Sequence, residues 1–310
     1  MQIFDSFKSS LNQSLDLFLG YKIVIKREDL IHPRVSGNKF RKLKYIFQEI
    51  KEKEVSALLT FGGAFSNHLA ASAYAGKSIG VHTIGIVRGD EWGRKIHESA
   101  TLNYCVSQGM ELHCISRDIY AQKEQTPIVT KLMKKIPGLR IIPEGGTEPL
   151  AVKGCLEILQ SEDLNFDVIC SSVGTGGTIA GLVNSSNDNQ NLIGFNALNN
   201  TEIVHTIEEL TNKKNWSIED GYTFGGYAKI KPTLISFMND FYQQYRIPLD
   251  PIYTGKMVFG IFDLIKKDKW PWGKKILIIH TGGLQGVVGM NVQLQKKGYP
   301  TIQYAEKLHF

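Results

Sequence analysis

Short apolar runs alternate with longer stretches in which apolar residues recur every three or four positions, and this holds along almost the whole chain. Short runs of this kind predict strands and the wider spacing predicts helices, so the repeated order points to parallel sheets with crossover helices. The run "YKIVIKRED" at 21–29 opens with a β-branched strand. "SALLTFGG" predicts a strand ending in glycines, and "FSNHLAASAYAGKSIG" predicts a small-residue helix with Ser66 as its N-cap. Strands at 81–87, 111–116 and 140–143, with helical spacers, complete a four-stranded unit over residues 43–148.

A second group begins at "GGTEPLAVKGCLEILQ", where a loop leads into a helix. It holds strands at 167–173 and 191–198, a helix over 233–246, and a last strand within "KKILIIHTGG" at 274–283. The polar stretch "NSSNDNQN" at 184–191 predicts a surface loop. No period of about 20 to 50 residues repeats. With 310 residues the chain is long enough for two domains.

Composition narrows the function classes. The chain is 42% hydrophobic and 21% charged, as globular proteins are, and its net charge of +6 is spread without a basic arm. That gives little support to nucleic-acid or membrane binding. Cys105, Cys114, Cys155 and Cys170 make no C-x-x-C pair and no ligand spacing with histidine, so neither a metal site nor a disulfide framework is indicated. The first twenty residues are interrupted by Asp5, Lys8, Asn12 and Asp16, and no later run reaches transmembrane length. The expected location is the cytoplasm.

Three strand ends run into glycine: "TFGGAFSNH", "SSVGTGGTIAGL" and "IIHTGGLQG". In an open α/β sheet the ligand crevice lies at the carboxyl ends of strands. The loop "GTGGT", Gly174, Thr175, Gly176, Gly177 and Thr178, is the best anion site, because glycines let successive N–H groups converge ahead of a helix. An ordinary glycine-rich turn remains the commoner explanation of one such loop alone. Ile179 stands where a dinucleotide fingerprint needs a small residue, and no Gly-Lys-Ser/Thr follows, which disfavours a nucleotide-dependent oxidoreductase.

The segment "VSGNKFRKLKYIF" packs cations into the start of a predicted helix, where the macrodipole disfavours them unless an anion is near. Lys39 and Lys42 are three apart and share a face. A lone lysine there is usually a solvated charge. Beside a phosphate loop, however, its amine matches an aldehyde cofactor that carries a phosphate.

"SGNKFRKLKY", "GGAFSNH", "SVGTGGTIAG", "GGYAKIKP" and "DPIYTGKMVFG" together resemble, in order and spacing over residues 21–286, the pyridoxal-phosphate enzymes of the tryptophan-synthase-β fold. More narrowly they resemble the 1-aminocyclopropane-1-carboxylate deaminases and D-cysteine desulfhydrases. The resemblance implies two open, mostly parallel three-layer α/β domains with pyridoxal 5'-phosphate in the cleft between them. The implied division is 1–42 with 149–310 for the large domain and 43–148 for the small one. It makes Lys39 the lysine that binds the cofactor, Lys42 a phosphate neighbour and Gly174 to Thr178 the phosphate cradle. Ser66, Asn67 and His68 match the loop for the substrate carboxylate, with Asn67 also near the cofactor's phenolic oxygen. Tyr227 and Tyr253 match two active-site tyrosines, and Thr254 and Thr281 match cofactor contacts. A homodimer is implied as well.

Two positions choose between the branches. The deaminases resemble one another in having Glu after the second tyrosine and Gln after Ser-Asn; this chain has Thr254 and His68, as in the desulfhydrase branch. A carboxylate at the pyridine nitrogen keeps it protonated and a hydroxyl does so poorly, so Thr254 leans towards elimination of a thiolate, whose pKa of about 8.5 makes it a fair leaving group. The expectation is α,β-elimination on D-cysteine or a similar β-substituted D-amino acid, giving pyruvate, ammonia and sulfide. The rival readings are a ring-opening deaminase, an oxidoreductase and a cofactor carrier without catalysis.

Overall fold

The structure is a computed structural model and describes residues 2–5 and 8–308. Its strands are β1 (Asn12–Ser14), β2 (Lys22–Lys26), β3 (Ala57–Gly63), β4 (His82–Arg88), β5 (Glu111–Ile115), β6 (Arg140–Ile142), β7 (Val168–Val173), β8 (Asn191–Asn196), β9 (Trp216–Glu219) and β10 (Lys275–Ile279). They form a six-stranded sheet in the order β1-β2-β10-β7-β8-β9 and a four-stranded sheet in the order β5-β4-β3-β6. Every pairing is parallel except β1 with β2.

Parallel sheets covered on both faces need continuous apolar strands, and every residue of β7 is buried. On one face of the large sheet Met238, Phe241, Met257 and Ile261, from helices Pro232–Tyr245 and Thr254–Lys266, pack with Cys170, Ile276 and Ile278. On the other, Ile179, Leu182 and Val183 of helix Gly177–Ser185 pack with Ile169, Leu192 and Leu277. Phe61, Ile84 and Ile86 of the small sheet meet Tyr120, Val129 and Leu132. Each fully buried side chain of this kind contributes roughly 1.5–3 kcal/mol.

Helix Asn38–Glu52 joins the two sheets. Its first turn docks on the end of β10, where the Asn38 N–H donates to the Thr281 carbonyl at 3.2 Å. Gly37 caps it with φ 61°, and a Cβ there would stand 2.0 Å from the Thr281 oxygen, so glycine is required. Leu43, Ile46 and Phe47 pack instead with Leu58, Ala71 and Ile142 of the small sheet's layer. The expected boundary at 42/43 therefore falls inside a continuous helix.

The strands expected from the apolar runs are present within a residue or two, and the four between 57 and 142 form one sheet. Strands β1 and β9 and helix Thr254–Lys266 are further elements. The stretch 184–191 is less superficial than expected. It begins inside helix Gly177–Ser185, and buried Gln190 donates to the carbonyls of Asp163 and Phe166 at 2.9 and 3.0 Å.

Candidate active site

The carboxyl ends of β3, β4, β7 and β10 face one another across a cavity of about 440 Å³, which also takes in residues of the loop after β6. Lys39, Ser66, Asn67, His68, Tyr227 and Tyr253 all line it, as do Lys42, Gly174, Thr175, Gly176, Thr178 and Thr281. Its charged lining is Arg34, Lys39, Lys42 and Arg88 against Glu144. That balance suits a phosphate together with an amino-acid carboxylate.

The cations of the opening helix are divided between two tasks. Arg41 forks onto buried Glu28 with two bonds of 2.9 Å, and Lys44 pairs with Glu157. Lys39 and Lys42 turn into the cavity. Lys39 donates to Asn38 Oδ1 at 3.2 Å. It is only half-buried, because it faces the open cavity, yet desolvation first and the Lys42 cation second bring its amine down to about 7. Lys42 is 2% exposed and donates to Gly145 O at 2.9 Å, Thr147 Oγ1 at 3.0 Å and Thr175 Oγ1 at 3.3 Å. Burial lowers it to about 8. It braces the glycine loop against the segment after β6.

Helix Gly177–Ser185 begins directly after left-handed Gly176 (φ 83°) and has no side-chain cap, so its first N–H groups are open to an anion. Of the two loop threonines, Thr175 bonds Thr147 Oγ1 at 2.6 Å and Thr178 accepts from Asn38 Nδ2 at 2.9 Å. Gly177 does not line the cavity. A Cβ there would meet Thr147 at 3.1 Å and Lys42 at 3.3 Å, so the residue keeps the brace closed behind the loop.

Ser66 caps helix Asn67–Ile79, its Oγ accepting from the Leu69 N–H at 3.3 Å. Asn67 Oδ1 is buried with no partner. Buried His68 holds Thr60 Oγ1 at 2.8 Å through Nε2; since that hydroxyl donates to Ile142 O, the imidazole donates from Nε2, and its Nδ1 is unpartnered. Burial, then Lys39 and Lys42, hold His68 well below its ordinary pKa, so it is neutral.

Tyr253 lies against Gly174, where a Cβ would stand 3.3 Å from its ring, and burial raises its phenol well above the usual value. The Tyr227 ring lies 5.6 Å from the Arg88 guanidinium carbon, and burial raises its phenol to about 12.

Thr254 departs from the expectation. It is fully buried, does not line the cavity, donates from Oγ1 to Asp250 Oδ2 at 2.7 Å and accepts from the Asp250 N–H at 2.9 Å. The buried Asp250 carboxylate needs donors, and it takes this hydroxyl and the N–H groups of Ile252, Tyr253 and Thr254. The hydroxyls that do reach the cavity from the central strands are Ser172 and Thr281, 3.2 Å apart at the ends of β7 and β10. Nothing in the sequence singles out Ser172, Arg88 or Glu144.

A phosphate-bearing aldehyde fits this donor set. An amine of lowered pKa, an uncapped helix start, the unpartnered Asn67 amide oxygen and a hydroxyl pair all converge on one cavity. Among the described residues no helix is long and apolar enough to cross a membrane.

Comparison with known proteins agrees. The family profile described as "Pyridoxal-phosphate dependent enzyme" matches residues 10–282. A Thermotoga maritima protein named as a candidate 1-aminocyclopropane-1-carboxylate deaminase is 30% identical over 297 residues, covering 89% of this chain and 93% of its own. The mitochondrial "Bifunctional D-cysteine desulfhydrase/1-aminocyclopropane-1-carboxylate deaminase" of Arabidopsis thaliana is 28% identical, covering 86% of this chain and 74% of its own. Among solved structures, one titled as an "ACC deaminase homologue" superposes with a TM-score of 0.77 at 27% identity, covering 97% of this chain and 93% of that one.

Proposed function

The chain belongs to the pyridoxal-phosphate-dependent enzymes, within the aminocyclopropanecarboxylate deaminase and D-cysteine desulfhydrase group, and from that premise we propose that it eliminates the β-substituent of D-cysteine or a similar D-amino acid. The products are pyruvate, ammonia and sulfide. When bound, pyridoxal 5'-phosphate supplies a reactive aldehyde and a ring that draws electrons from the substrate's α-carbon.

The chain's own residues divide the remaining work. Gly174, Thr175, Gly176 and Thr178 at the uncapped helix start would hold the phosphate, and Gly177 keeps the cradle closed against Lys42 and Thr147. Asn67, which lines the cavity with an unpartnered amide oxygen, would contact the cofactor ring. Lys39 is the amine that would hold the cofactor through its aldehyde. Its Nζ, when free and unprotonated, would be the base placed to take the substrate's α-proton, a task suited to a pKa of about 7. Ser66 and the helix start behind it hold the substrate carboxylate. The phenols of Tyr227 and Tyr253 stay protonated through burial and keep a proton for the departing group.

One observation carries the choice of elimination over ring opening. Where the central strands reach the cavity they present the hydroxyls of Ser172 and Thr281, while Glu144, the acid in the lining, is held by Tyr120 and Lys123. Hydroxyls leave a pyridine nitrogen unprotonated, which suffices for losing an α-proton and a thiolate but serves ring opening poorly. The ring-opening reading keeps the support of the relatives' names. The elimination proposal is tested by pyruvate release from a panel of D- and L-amino acids; release from β-substituted D-amino acids alone supports it, and release from none removes it. A cytoplasmic homodimer divided as 1–42 with 149–310 and 43–148 completes the proposed reading.

A further inference from the structure

Lys256, on the first turn of helix Thr254–Lys266, is 2% exposed, and the Asp250 carboxylate favours its charge without forming a direct ion pair with it among the described residues. Its ammonium donates to three main-chain carbonyls: Gly226 at 2.7 Å, Thr223 at 2.8 Å and Ala197 at 3.2 Å. An ammonium has three N–H donors, so every one is used. A buried lysine is costly unless it is matched in this way.

The three carbonyls belong to two segments that need external support. Ala197 follows β8 and precedes Leu198 of the cavity wall. Thr223 and Gly226 close the turn that leads into Tyr227, in which Phe224, Gly225, Gly226 and Ala228 all have positive φ. Left-handed backbone is sterically disfavoured for Phe224 and Ala228, which carry a Cβ, so the turn is held by its surroundings and not by its own preference. Lys256 also lies three residues after Tyr253, at the start of the same helix.

We propose that Lys256 is a positioning residue that fixes Tyr227 relative to Tyr253, and so places the proton for the departing β-substituent. The proposal rests on the lyase reading above for that last step. The placement of Tyr227 itself does not depend on it.

The test combines Lys256→Met and Lys256→Arg with Tyr227→Phe. Both Lys256 variants should lower kcat on D-cysteine with KM nearly unchanged, by up to about 100-fold for Lys256→Met, as misplacement of a reacting group does. In the Tyr227→Phe background the same substitutions should cost less than about 2-fold, because residues that act through one another are not additive. Losses that multiply in full would overturn the proposal. A second readout needs no turnover. With 3-fluorotyrosine at position 227, the parent should give one narrow fluorine resonance and Lys256→Arg, which keeps the charge, a broadened or split one. An unchanged resonance in folded Lys256→Arg overturns the proposal whatever substrate the enzyme takes. Turnover failure of the parent on every D-amino acid would remove the lyase reading and leave the fluorine result standing.

Discussion

Lys42 acts on Lys39 across the shared cavity: three residues apart on one helix, they both face inward, and the Lys42 cation is second to burial in lowering the Lys39 amine to about 7. Lys42 carries its charge without blocking the site, because Gly145, Thr147 and Thr175 hold its Nζ in the wall.

This sets the pH dependence of cofactor capture. An amine attacks an aldehyde only when unprotonated, so capture by the apoprotein should rise with pH and level off above about 7. An ordinary lysine would go on rising to about 10.4. The folded pKa lies below the unfolded one, so between them the folded chain binds fewer protons and the Lys39 contribution makes apoprotein stability rise with pH. Lys42→Gln should move the capture midpoint upward. Borohydride reduction followed by peptide mapping should place the pyridoxyl group on Lys39, and labelling of another lysine would refute the assignment.

Ser66 has two compatible roles. Ser66→Ala removes the bond to the Leu69 N–H and should cost about 1 kcal/mol of stability, the usual size of a lost cap. If Ser66 also holds the substrate carboxylate, kcat/KM falls far more than that. A lower melting temperature with undiminished activity would reduce Ser66 to a cap.

Thr254 belongs to the buried Asp250 turn. Its hydroxyl serves Asp250 and not the cavity, so Thr254→Val should cost about 1–3 kcal/mol for a buried carboxylate that loses a donor, with substrate preference retained. Thr281→Ala, at the cavity, should alter the visible spectrum of the bound cofactor. An altered substrate preference in Thr254→Val without loss of stability would return the electronic role to Thr254.

His68 is neutral and anchored, so activity should show no titration near the ordinary histidine value of about 6.5 that His68→Gln abolishes. Thr60→Val should loosen the ring by removing the 2.8 Å bond, raising KM more than it lowers kcat. A histidine-dependent limb in the pH profile, lost in His68→Gln, would show that the ring titrates in the site.

Much of this was legible in the sequence because the signals are local. The buried parallel strands announce themselves as apolar runs, and the glycines after β3, β7 and β10 mark where those strands open onto the cavity. Strands β1, "NQS", and β9, "WSIE", lack such runs because they are short edges whose pairing is supplied by β2 and β8. Arg88 reads as an ordinary polar strand end, and only the fold brings it beside Tyr227. Lys256 reads as a charge on a helix, since sequence does not show that three carbonyls converge on it. In "DPIYT" nothing signals that Asp250 turns inward and takes the Thr254 hydroxyl.

Elimination and ring opening at this site are distinguished most directly by two substrates. The wild-type protein is given D-cysteine and 1-aminocyclopropane-1-carboxylate separately under identical conditions, with pyruvate and 2-oxobutanoate measured as products. With hydroxyls and no free carboxylate at the ends of β7 and β10, pyruvate should form readily and 2-oxobutanoate negligibly. Efficient 2-oxobutanoate formation would contradict that account and make ring opening the reaction of this site.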